Sequence, residues 1–410
     1  MISYIDYGNQ KLPIFFPHHA RRLVVGDPVP VITEDLFSSR LDVFLEQEAL
    51  DLSNPVIVVA DKTRLCGYSE YLPVLLEKLV AAGAQKDAVK FIVAYGTHPR
   101  QSDEESLQAY GEIYNSCEFV HHDCVEGYFE ELGTTTRGVP IRFRKDLLEA
   151  SCIVTMGAIS HHYFAGYGGG RKLIFPGCGE REAIYKNHSL YLDPVKKGLA
   201  AGCQPGRFDN NPLAEDLFEI EDKLAADLAI HGIMDSSGQL CDLLVGKGRE
   251  HFLEACGLHG RNCEIQSRQF DTVVASCGGF PKDINFIQTH KAIHNAAMFV
   301  KDGGQLILYS QCPDQLGSET FLSWFEKGSF EAAFAELAED YKGNGGTALA
   351  MMEKTRRIKI AMITELDAEL CQKIEVEVWA HHQVNDYLAD FPVDKSIACI
   401  PNASLLVFSG

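Results

Sequence analysis

The chain has 410 residues, 46% of them hydrophobic, so it is too long for one ordinary domain and apolar enough to fill two cores. Its 37 basic and 57 acidic residues give a formal net charge of −20, which argues against nucleic acid or an anionic membrane surface as a general partner. The first residues resemble no signal peptide, and no stretch approaches the roughly 18 apolar residues of a membrane helix. These features predict a cytoplasmic protein that acts on a small molecule.

Short apolar runs alternate with helical patterns over the first 260 residues. We predict strands at 55–60, 89–95, 118–120, 152–156 and 240–245, and helices at 71–82, 102–109, 212–230 and 250–257. Strands that alternate with helices favour parallel sheets covered on both faces. The predicted fold class is therefore α/β.

A polar stretch at 260–267 marks the expected boundary between two α/β domains. We predict an N-terminal catalytic and cofactor-binding domain at 1–262, a C-terminal domain at 263–410, and an active site in the cleft between them. In the second domain we predict strands at 272–276, 305–310, 358–363, 374–379, 396–400 and 405–408, and helices near 284–300, 318–340 and 346–355. The last strands are candidates to pack back on the N-terminal domain.

Cysteine usage points to a reduced protein. The 13 cysteines are scattered, contain no C-x-x-C motif and fall mostly in apolar runs. Neither a zinc ribbon nor a thioredoxin-type motif is indicated. We expect buried thiols in the cores.

The segment HHYFAGYGGGRK, from His161 to Lys172, is the most informative part of the chain. Its glycines, Gly168, Gly169 and Gly170, would let backbone N–H groups approach a ligand. The segment also contains a possible base and a possible amine nucleophile, and a possible metal ligand, His188, follows it. This combination predicts an active site.

Polar residues also follow three predicted strands. Asp61 and Arg64 lie after the first strand, His98 after the second, and His161 and His162 after the strand at 152–156. Ligands of open α/β sheets gather at the carboxyl ends of strands. We therefore expect Arg64, His98 and His162 to share one rim.

These residues resemble the nickel-pincer lactate racemases and their relatives over nearly the whole chain. The shared motifs are D-K-T-R at 61–64, Y-G-T-H at 95–98, H-H-D at 121–123, H-Y-F-A-G-Y-G-G-G-R-K at 162–172, F-P-G at 175–177, N-H at 187–188 and Q-x-x-K at 288–291. The resemblance implies an isomerase that racemises or epimerises a 2-hydroxy acid. It also implies a nickel-pincer nucleotide, pyridinium-3,5-bisthiocarboxylic acid mononucleotide nickel, which separate maturation proteins make and load.

The resemblance also implies roles for individual residues. Lys172 would hold the cofactor covalently and His188 would bind nickel, while His98 and His162 would be the acid–base pair. Imidazole suits proton transfer because its unperturbed pKa lies near ~6.5. The residues expected to contact cofactor or substrate are Asp61, Arg64, Gly168, Gly169, Gly170, Gln288 and Lys291.

Several alternatives stay open at this stage. Lys172 could instead form a Schiff base with pyridoxal phosphate, or the chain could bind a hydroxy acid or nucleotide without turnover. Arg171 stands where we expect a small residue, and it could bind cofactor phosphate or reach a second substrate carboxylate. His161 is expected beside the site or exposed. Ile287 stands where we expect an aromatic, so the substrate need not be lactate.

Overall fold

The computed structural model describes residues 2–409. The strands, in chain order, are β1 (Ile2–Tyr7), β2 (Gln10–Phe15), β3 (Arg21–Arg22), β4 (Pro55–Ala60), β5 (Lys90–Ala94), β6 (Glu118–His121), β7 (Phe129–Thr134), β8 (Pro140–Arg144), β9 (Cys152–Ala158), β10 (Ser160–His162), β11 (Gly166–Gly168), β12 (Leu192–Asp193), β13 (Gly198–Leu199), β14 (Leu228–Met234), β15 (Leu240–Gly246), β16 (Glu264–Ile265), β17 (Phe270–Ser276), β18 (Val300–Tyr309), β19 (Lys359–Ile363), β20 (Glu377–Val378), β21 (Ile397–Ile400) and β22 (Val407–Phe408). The α-helices are α1 (Glu34–Gln47), α2 (Tyr68–Ala81), α3 (Asp103–Tyr110), α4 (Ile113–Ser116), α5 (Lys145–Leu148), α6 (Arg181–His188), α7 (Pro212–Glu221), α8 (Gly248–Cys263), α9 (Phe286–Met298), α10 (Phe330–Glu339), α11 (Gly345–Arg357), α12 (Ala368–Lys373) and α13 (His381–Ala389). Short 3-10 helices lie at Lys86–Ala88, Gly170–Leu173, Ser189–Tyr191 and Leu322–Lys327.

The chain divides into two compact units. The N-terminal unit contains 27–190 and 207–262, and the C-terminal unit contains 1–26, 191–206 and 263–410. This division differs from the predicted one because 1–26 and 191–206 group with the C-terminal residues.

The N-terminal unit is built on a six-stranded sheet in the order β15-β14-β9-β4-β5-β6. All neighbours are parallel except the edge strand β15, which runs antiparallel to β14. Strand β4, with the sequence PVIVVA, is buried along its whole length, as expected for a strand covered on both faces. The predicted α/β class is confirmed for this unit.

One long predicted helix in this unit is wrong. Helix α7 begins as predicted, with Asn211 capping the N–H of Ala214, but it ends at Glu221. The apolar run that follows forms β14, which pairs with both β9 and β15. A fully buried strand lacks the alternation that would distinguish it from a continuing helix, which is why the boundary was missed.

The C-terminal unit has a second six-stranded sheet, in the order β20-β19-β18-β17-β21-β3, with every neighbouring pair parallel. Alternate residues of β17 enter different cores: Val273 and Ala275 belong to one cluster and Val274 to the other. Strand β22 pairs with β16 inside this unit, and packing of the last strands on the N-terminal domain stays a prediction. The predicted helix at 318–340 is interrupted, and the predicted strand at 374–379 shortens to β20.

The first residues join the C-terminal unit because their apolar side chains fill its core. Strand β1 pairs with β2, and Ile5 and Ile14 from this hairpin lie in one cluster with Val274 and Ile307. Strand β3 then extends the parallel sheet beside β21. Sequence distance hid this association, since it joins residues more than 250 positions apart.

Substitution of Ile14 with alanine is expected to destabilise the protein by about 2–5 kcal/mol, because the side chain is fully buried and its removal leaves a cavity. Tyr4→Ala, on the exposed side of the same hairpin, is the matched control, and we expect it to cost under about 0.5 kcal/mol. Urea denaturation measures both. Equal effects of the two substitutions would show that the hairpin is not part of the core.

The thiols are as predicted. All 13 cysteines are free, and all except Cys117 and Cys124 are buried. Within residues 2–409, the α-helices are too short or too polar to serve as membrane spans.

Candidate active site

Three neighbouring parallel strands bring the predicted polar residues of the N-terminal unit to one edge. Strand β4 lies between β5 and β9, and Ala60 at the end of β4 is paired with Ala94 at the end of β5. Asp61 follows the first of these strands and His98 lies in the loop after the second. This agrees with the expectation from strand ends in open sheets.

Asp61 holds His98 and Arg64 together. Its Oδ2 accepts a hydrogen bond from His98 Nδ1 at 3.0 Å and one from Arg64 Nη1 at 3.1 Å. Oδ1 accepts from the backbone N–H and the hydroxyl of Thr63. The Asp61 side chain is only 5% exposed, whereas those of His98 and Arg64 are about half exposed. The buried Asp61 carboxylate thus anchors two side chains, those of His98 and Arg64, that extend toward solvent.

Burial alone would raise the pKa of Asp61, but the His98 hydrogen bond, the charge of Arg64 and the Thr63 hydroxyl hold that pKa well below its usual value. An ionised Asp61 requires the proton of neutral His98 to sit on Nδ1. The Nε2 atom of His98 then carries a free lone pair. The geometry therefore presents His98 as a proton acceptor.

His162 lies on a short hairpin formed by β10 and β11, opposite Gly166. Its Nδ1 accepts the backbone N–H of Ala165 at 3.3 Å, which leaves the proton of the neutral ring on Nε2. His98 and His162 thus present an acceptor and a donor, respectively. His161, the preceding residue on the hairpin, packs against Tyr167 and His259 with tilted rings whose centroids are 4.7 and 4.8 Å away.

The glycine run is explained by packing. Gly169 and Gly170 both have positive φ, and a Cβ would lie 2.4 Å from the Ala158 carbonyl at the first position and 2.4 Å from the Phe252 ring at the second. A Cβ on Gly168 would lie 3.0 Å from Ser160 Oγ. Glycine is therefore needed for the turn to fit between β9 and α8. Contact of these glycines with a cofactor stays a prediction.

Lys172 follows this turn and is part-buried. Burial, together with the positive charges of Arg64 and Arg171, holds the pKa of its amine well below the usual value. Lowering the pKa of an amine increases the fraction that is unprotonated, and therefore nucleophilic, at a given pH.

His188 is the last residue of α6, and its environment keeps the imidazole neutral. Burial, followed by the charges of Lys172 and His98, lowers the pKa of His188 to about 3. A neutral imidazole is the form that binds a transition metal.

Phe164 is the member of the site that sequence reasoning missed. Its buried ring lies 4.5 Å from the His162 ring, 5.1 Å from the His188 ring and 6.0 Å from Lys172 Nζ. The ring thus packs between His162, His188 and Lys172, which are the predicted base, metal ligand and cofactor-binding lysine. Phe164 lies within the motif at 162–172, which was a signal, but no role was predicted for it.

Other histidines of the N-terminal unit have structural contacts. His121 accepts or donates at both ring nitrogens, to Tyr95 at 2.7 Å and Tyr114 at 3.0 Å. His122 Nε2 lies 3.1 Å from the Gly179 carbonyl, and Asp123 accepts two backbone N–H groups of the following turn. The H-H-D motif is therefore hydrogen-bonded into the fold.

Gln288 and Lys291 lie one turn apart on α9, in the C-terminal unit. Lys291 Nζ donates to Gln288 Oε1 at 2.7 Å. Gln288 is half-buried and Lys291 is exposed, whereas the next residue, Ala292, is fully buried. Their contact with substrate stays a prediction.

The buried amine of Lys172 is expected to lower stability at neutral pH. The unfolded chain keeps this amine protonated up to about its ordinary pKa of 10.5, whereas the folded protein does not, so stability rises with pH in that window. Lys172→Met removes the free-energy cost of burying this amine and is therefore expected to raise Tm at pH 7. Thermal unfolding at several pH values measures it, with Lys186→Met, at an exposed position of α6, as the control. A lower Tm for Lys172→Met would contradict the prediction.

The N-terminal unit thus combines a largely parallel α/β sheet with a carboxylate-oriented histidine, a second histidine and a lysine of lowered pKa, a set of groups that is typical of an enzyme. Comparison with known proteins specifies the class further. Residues 39–199 match the lactate racemase N-terminal domain, and residues 265–382 match the lactate racemase C-terminal domain. The chain belongs to the lactate racemase family and is an isomerase.

Curated relatives and solved structures agree with this assignment. The lactate racemase of Thermoanaerobacterium thermosaccharolyticum is 29% identical over 79% of this chain and 77% of its own length. The lactate racemase of Lactiplantibacillus plantarum is 26% identical over 68% of this chain and 64% of its own.

The apoprotein structure of the T. thermosaccharolyticum enzyme superposes with a TM-score of 0.90 at 24% identity, covering 100% of both chains. A Thermotoga maritima protein superposes with a TM-score of 0.70 at 16% identity, covering 94% of this chain and 100% of its own. These likenesses confirm the fold.

Proposed function

We propose that this protein racemises or epimerises a 2-hydroxy acid with the help of a covalently held nickel-pincer nucleotide. The observation that carries the proposal is the arrangement around the Phe164 ring, which His162, His188 and the lowered-pKa amine of Lys172 all approach. The Asp61–His98 pair supplies the acceptor on the same sheet edge. Family membership supports the same reaction class.

The residues present fit this cofactor. Lys172 would hold it, since an unprotonated amine is the form that makes a covalent link to a carbonyl carbon. His188 would bind the nickel through a neutral imidazole nitrogen. When bound, the group supplies reversible hydride acceptance, which no side chain provides.

The chain's own residues would handle the proton and the carboxylate. His98 Nε2 accepts the proton of the substrate hydroxyl, and Asp61 stabilises the imidazolium that results. His162 Nε2–H donates a hydrogen bond to the substrate oxygen, and His98 returns its proton to that oxygen when C2 is reduced again. Arg64, half exposed beside His98, offers a planar fork to the substrate carboxylate, and we assign Gln288 and Lys291 to the same task.

We assign a 2-hydroxy acid as the substrate class from the chemistry of the acid–base pair. The C2–H bond is too weakly acidic for a side-chain base, but the hydroxyl proton is within reach of imidazole once C2 is oxidised in the same step. The curated relatives are named for lactate, so lactate is the first substrate to test. Ile287, which stands where we expected an aromatic, is partly buried against the C-terminal core. Because this difference means that the substrate need not be lactate, the substrates to be tested also include 2-hydroxy acids with larger and more polar side chains.

The test is intact mass with metal analysis on protein produced together with pincer-maturation proteins. We expect added mass on Lys172, near-stoichiometric nickel, and interconversion of the two enantiomers of at least one 2-hydroxy acid by chiral chromatography. A family lactate racemase produced alongside is the loading control. Protein that stays unmodified and nickel-free while the control is loaded would end this proposal.

The lowered pKa of Lys172 would also suit a Schiff base with pyridoxal phosphate. The same preparations distinguish the two. An aldimine absorbance band that borohydride fixes to Lys172 would replace the pincer with pyridoxal phosphate.

A further inference from the structure

Two loops of the N-terminal unit carry Asp61 and His98, and the tautomer of His98 depends on how these loops lie relative to each other. His98 Nδ1 is 3.0 Å from Asp61 Oδ2 and 3.4 Å from Arg64 Nη1. The carboxylate oxygen only accepts, so it requires a proton on Nδ1, whereas the guanidinium only donates and requires a bare Nδ1. The two neighbours therefore favour opposite tautomers, and the nearer one, Asp61, selects Nδ1–H.

Gln101 joins the two loops through a buried side chain. It lies on the same loop as His98, and its Oε1 accepts the backbone N–H of Lys62, the residue after Asp61, at 2.8 Å. The residue is 3% exposed, so water competes little for this bond. Lys62 Nζ also pairs with Glu105, but those side chains are 44% and 39% exposed, and such ion pairs contribute little.

The surrounding hydrogen bonds fix the orientation of the Gln101 amide. Ser106 Oγ donates to the Ser102 carbonyl at 2.8 Å, so its oxygen accepts from Gln101 Nε2 at 3.0 Å. Tyr110 OH donates to the Ala60 carbonyl at 2.9 Å and accepts from the same nitrogen at 3.4 Å. The amide nitrogen thus faces two hydroxyls of α3, and the amide oxygen faces the loop after β4.

The loop after β5 connects this amide to the imidazole. The backbone N–H of His98 donates to the Tyr95 carbonyl at 3.0 Å, and that of Gln101 donates to the Tyr95 hydroxyl at 3.4 Å. The segment from His98 to Gln101 is therefore tied at both ends to the residue that follows β5. Fixing Gln101 against Lys62 fixes this segment, and with it the imidazole, relative to Asp61.

We propose that Gln101 is a positioning residue that selects the Nδ1–H tautomer of His98. Its buried amide holds the loops at the separation where Asp61, instead of Arg64, is the nearer partner of His98 Nδ1. The Nε2 atom of His98 is then left with a lone pair. The use of that lone pair rests on the proposed function, in which His98 accepts the proton of the substrate hydroxyl.

The experiment is ¹⁵N NMR of the histidine rings in cofactor-free protein at about pH 8.5, where imidazoles are neutral. Long-range proton–nitrogen correlations distinguish the two tautomers, and the spectrum of His98→Gln assigns the His98 ring. Wild type is expected to show Nδ1–H. Gln101→Leu removes the hydrogen bond between the loops, and we expect it to raise the ratio of Nε2–H to Nδ1–H about ten-fold, the upper range for one net hydrogen bond.

Two further variants separate the hydrogen bond from other effects of the substitution. Gln101→Glu keeps a side-chain oxygen for the Lys62 N–H and is expected to retain the wild-type tautomer. Gln108→Leu removes an exposed glutamine of α3 and is the matched control. It is expected to change neither the His98 tautomer nor Tm.

An unchanged His98 tautomer in Gln101→Leu would overturn the inference, whatever its Tm, because Gln101 would then support only the fold. A tautomer change that Gln101→Glu does not rescue would overturn it too. Circular dichroism checks folding, and Gln101→Met takes the place of the leucine variant if that one fails to fold. The spectra need no cofactor, so failed nickel loading would end the proposed function and leave this result intact.

Discussion

Alanine at position 172 is expected to abolish both cofactor attachment and turnover. The amine of Lys172 is the proposed tether, and hydride acceptance has no side-chain substitute, so we expect the rate to fall at least about 10⁴-fold. Intact mass and chiral chromatography of protein co-produced with maturation proteins measure the two losses. The fold should persist, because this amine opposes folding at neutral pH.

The control for this substitution is Lys186→Ala, which removes an exposed lysine two residues before His188. It is expected to load cofactor and turn over like wild type. Full racemisation by Lys172→Ala would contradict the covalent role. Loss of activity in both variants would indicate a general effect of positive charge near α6.

Asparagine in place of Asp61 is expected to lower kcat about 10²–10⁴-fold, the usual contribution of a positioned acid–base group. The amide lacks the negative charge that fixes the proton on His98 Nδ1 and stabilises the imidazolium. Steady-state kinetics over the active pH range measures the loss. Because Asp61 also holds Arg64, a rise in KM is expected beside the fall in kcat.

Asp103→Asn is the matched control for the kinetic experiment. Asp103 is an exposed carboxylate that pairs with Arg100 and accepts from Tyr114, near the loop that carries His98. It is expected to retain kcat within about three-fold, as for a surface substitution. Unchanged kcat in Asp61→Asn would assign Asp61 to substrate binding through Arg64 instead of to orientation of His98.

Wild type and Asp61→Asn are also expected to differ in how their stability depends on acid pH. The pKa of Asp61 is depressed in the folded protein, so its ionised form stabilises the fold at pH values above the unfolded value of 3.8. That contribution is lost as the pH falls through the lower folded pKa. The difference in unfolding free energy between wild type and Asp61→Asn is therefore expected to shrink below about pH 4.

Local sequence determined much of this protein. The buried strand 55–60 and the cap at Asn211 were read correctly because apolar runs and capping residues act over a few positions. Asp61 and His98 were placed together because the carboxyl ends of parallel strands meet at one edge. The segment from His161 to Lys172 is a predicted site because its members are contiguous in the chain.

Only the tertiary structure decided the rest, since those features join residues far apart in sequence. The first 26 residues belong to the C-terminal unit because Ile5 and Ile14 fill a core built mostly from residues after 270. Arg171 turns inward because three phenylalanines, from 208 to 252, surround it. The proton positions on His98 and His162 follow from hydrogen bonds that no spacing reveals. The sequence identifies the chemical groups, whereas burial and contacts in the folded protein determine their protonation state and the direction in which each side chain points.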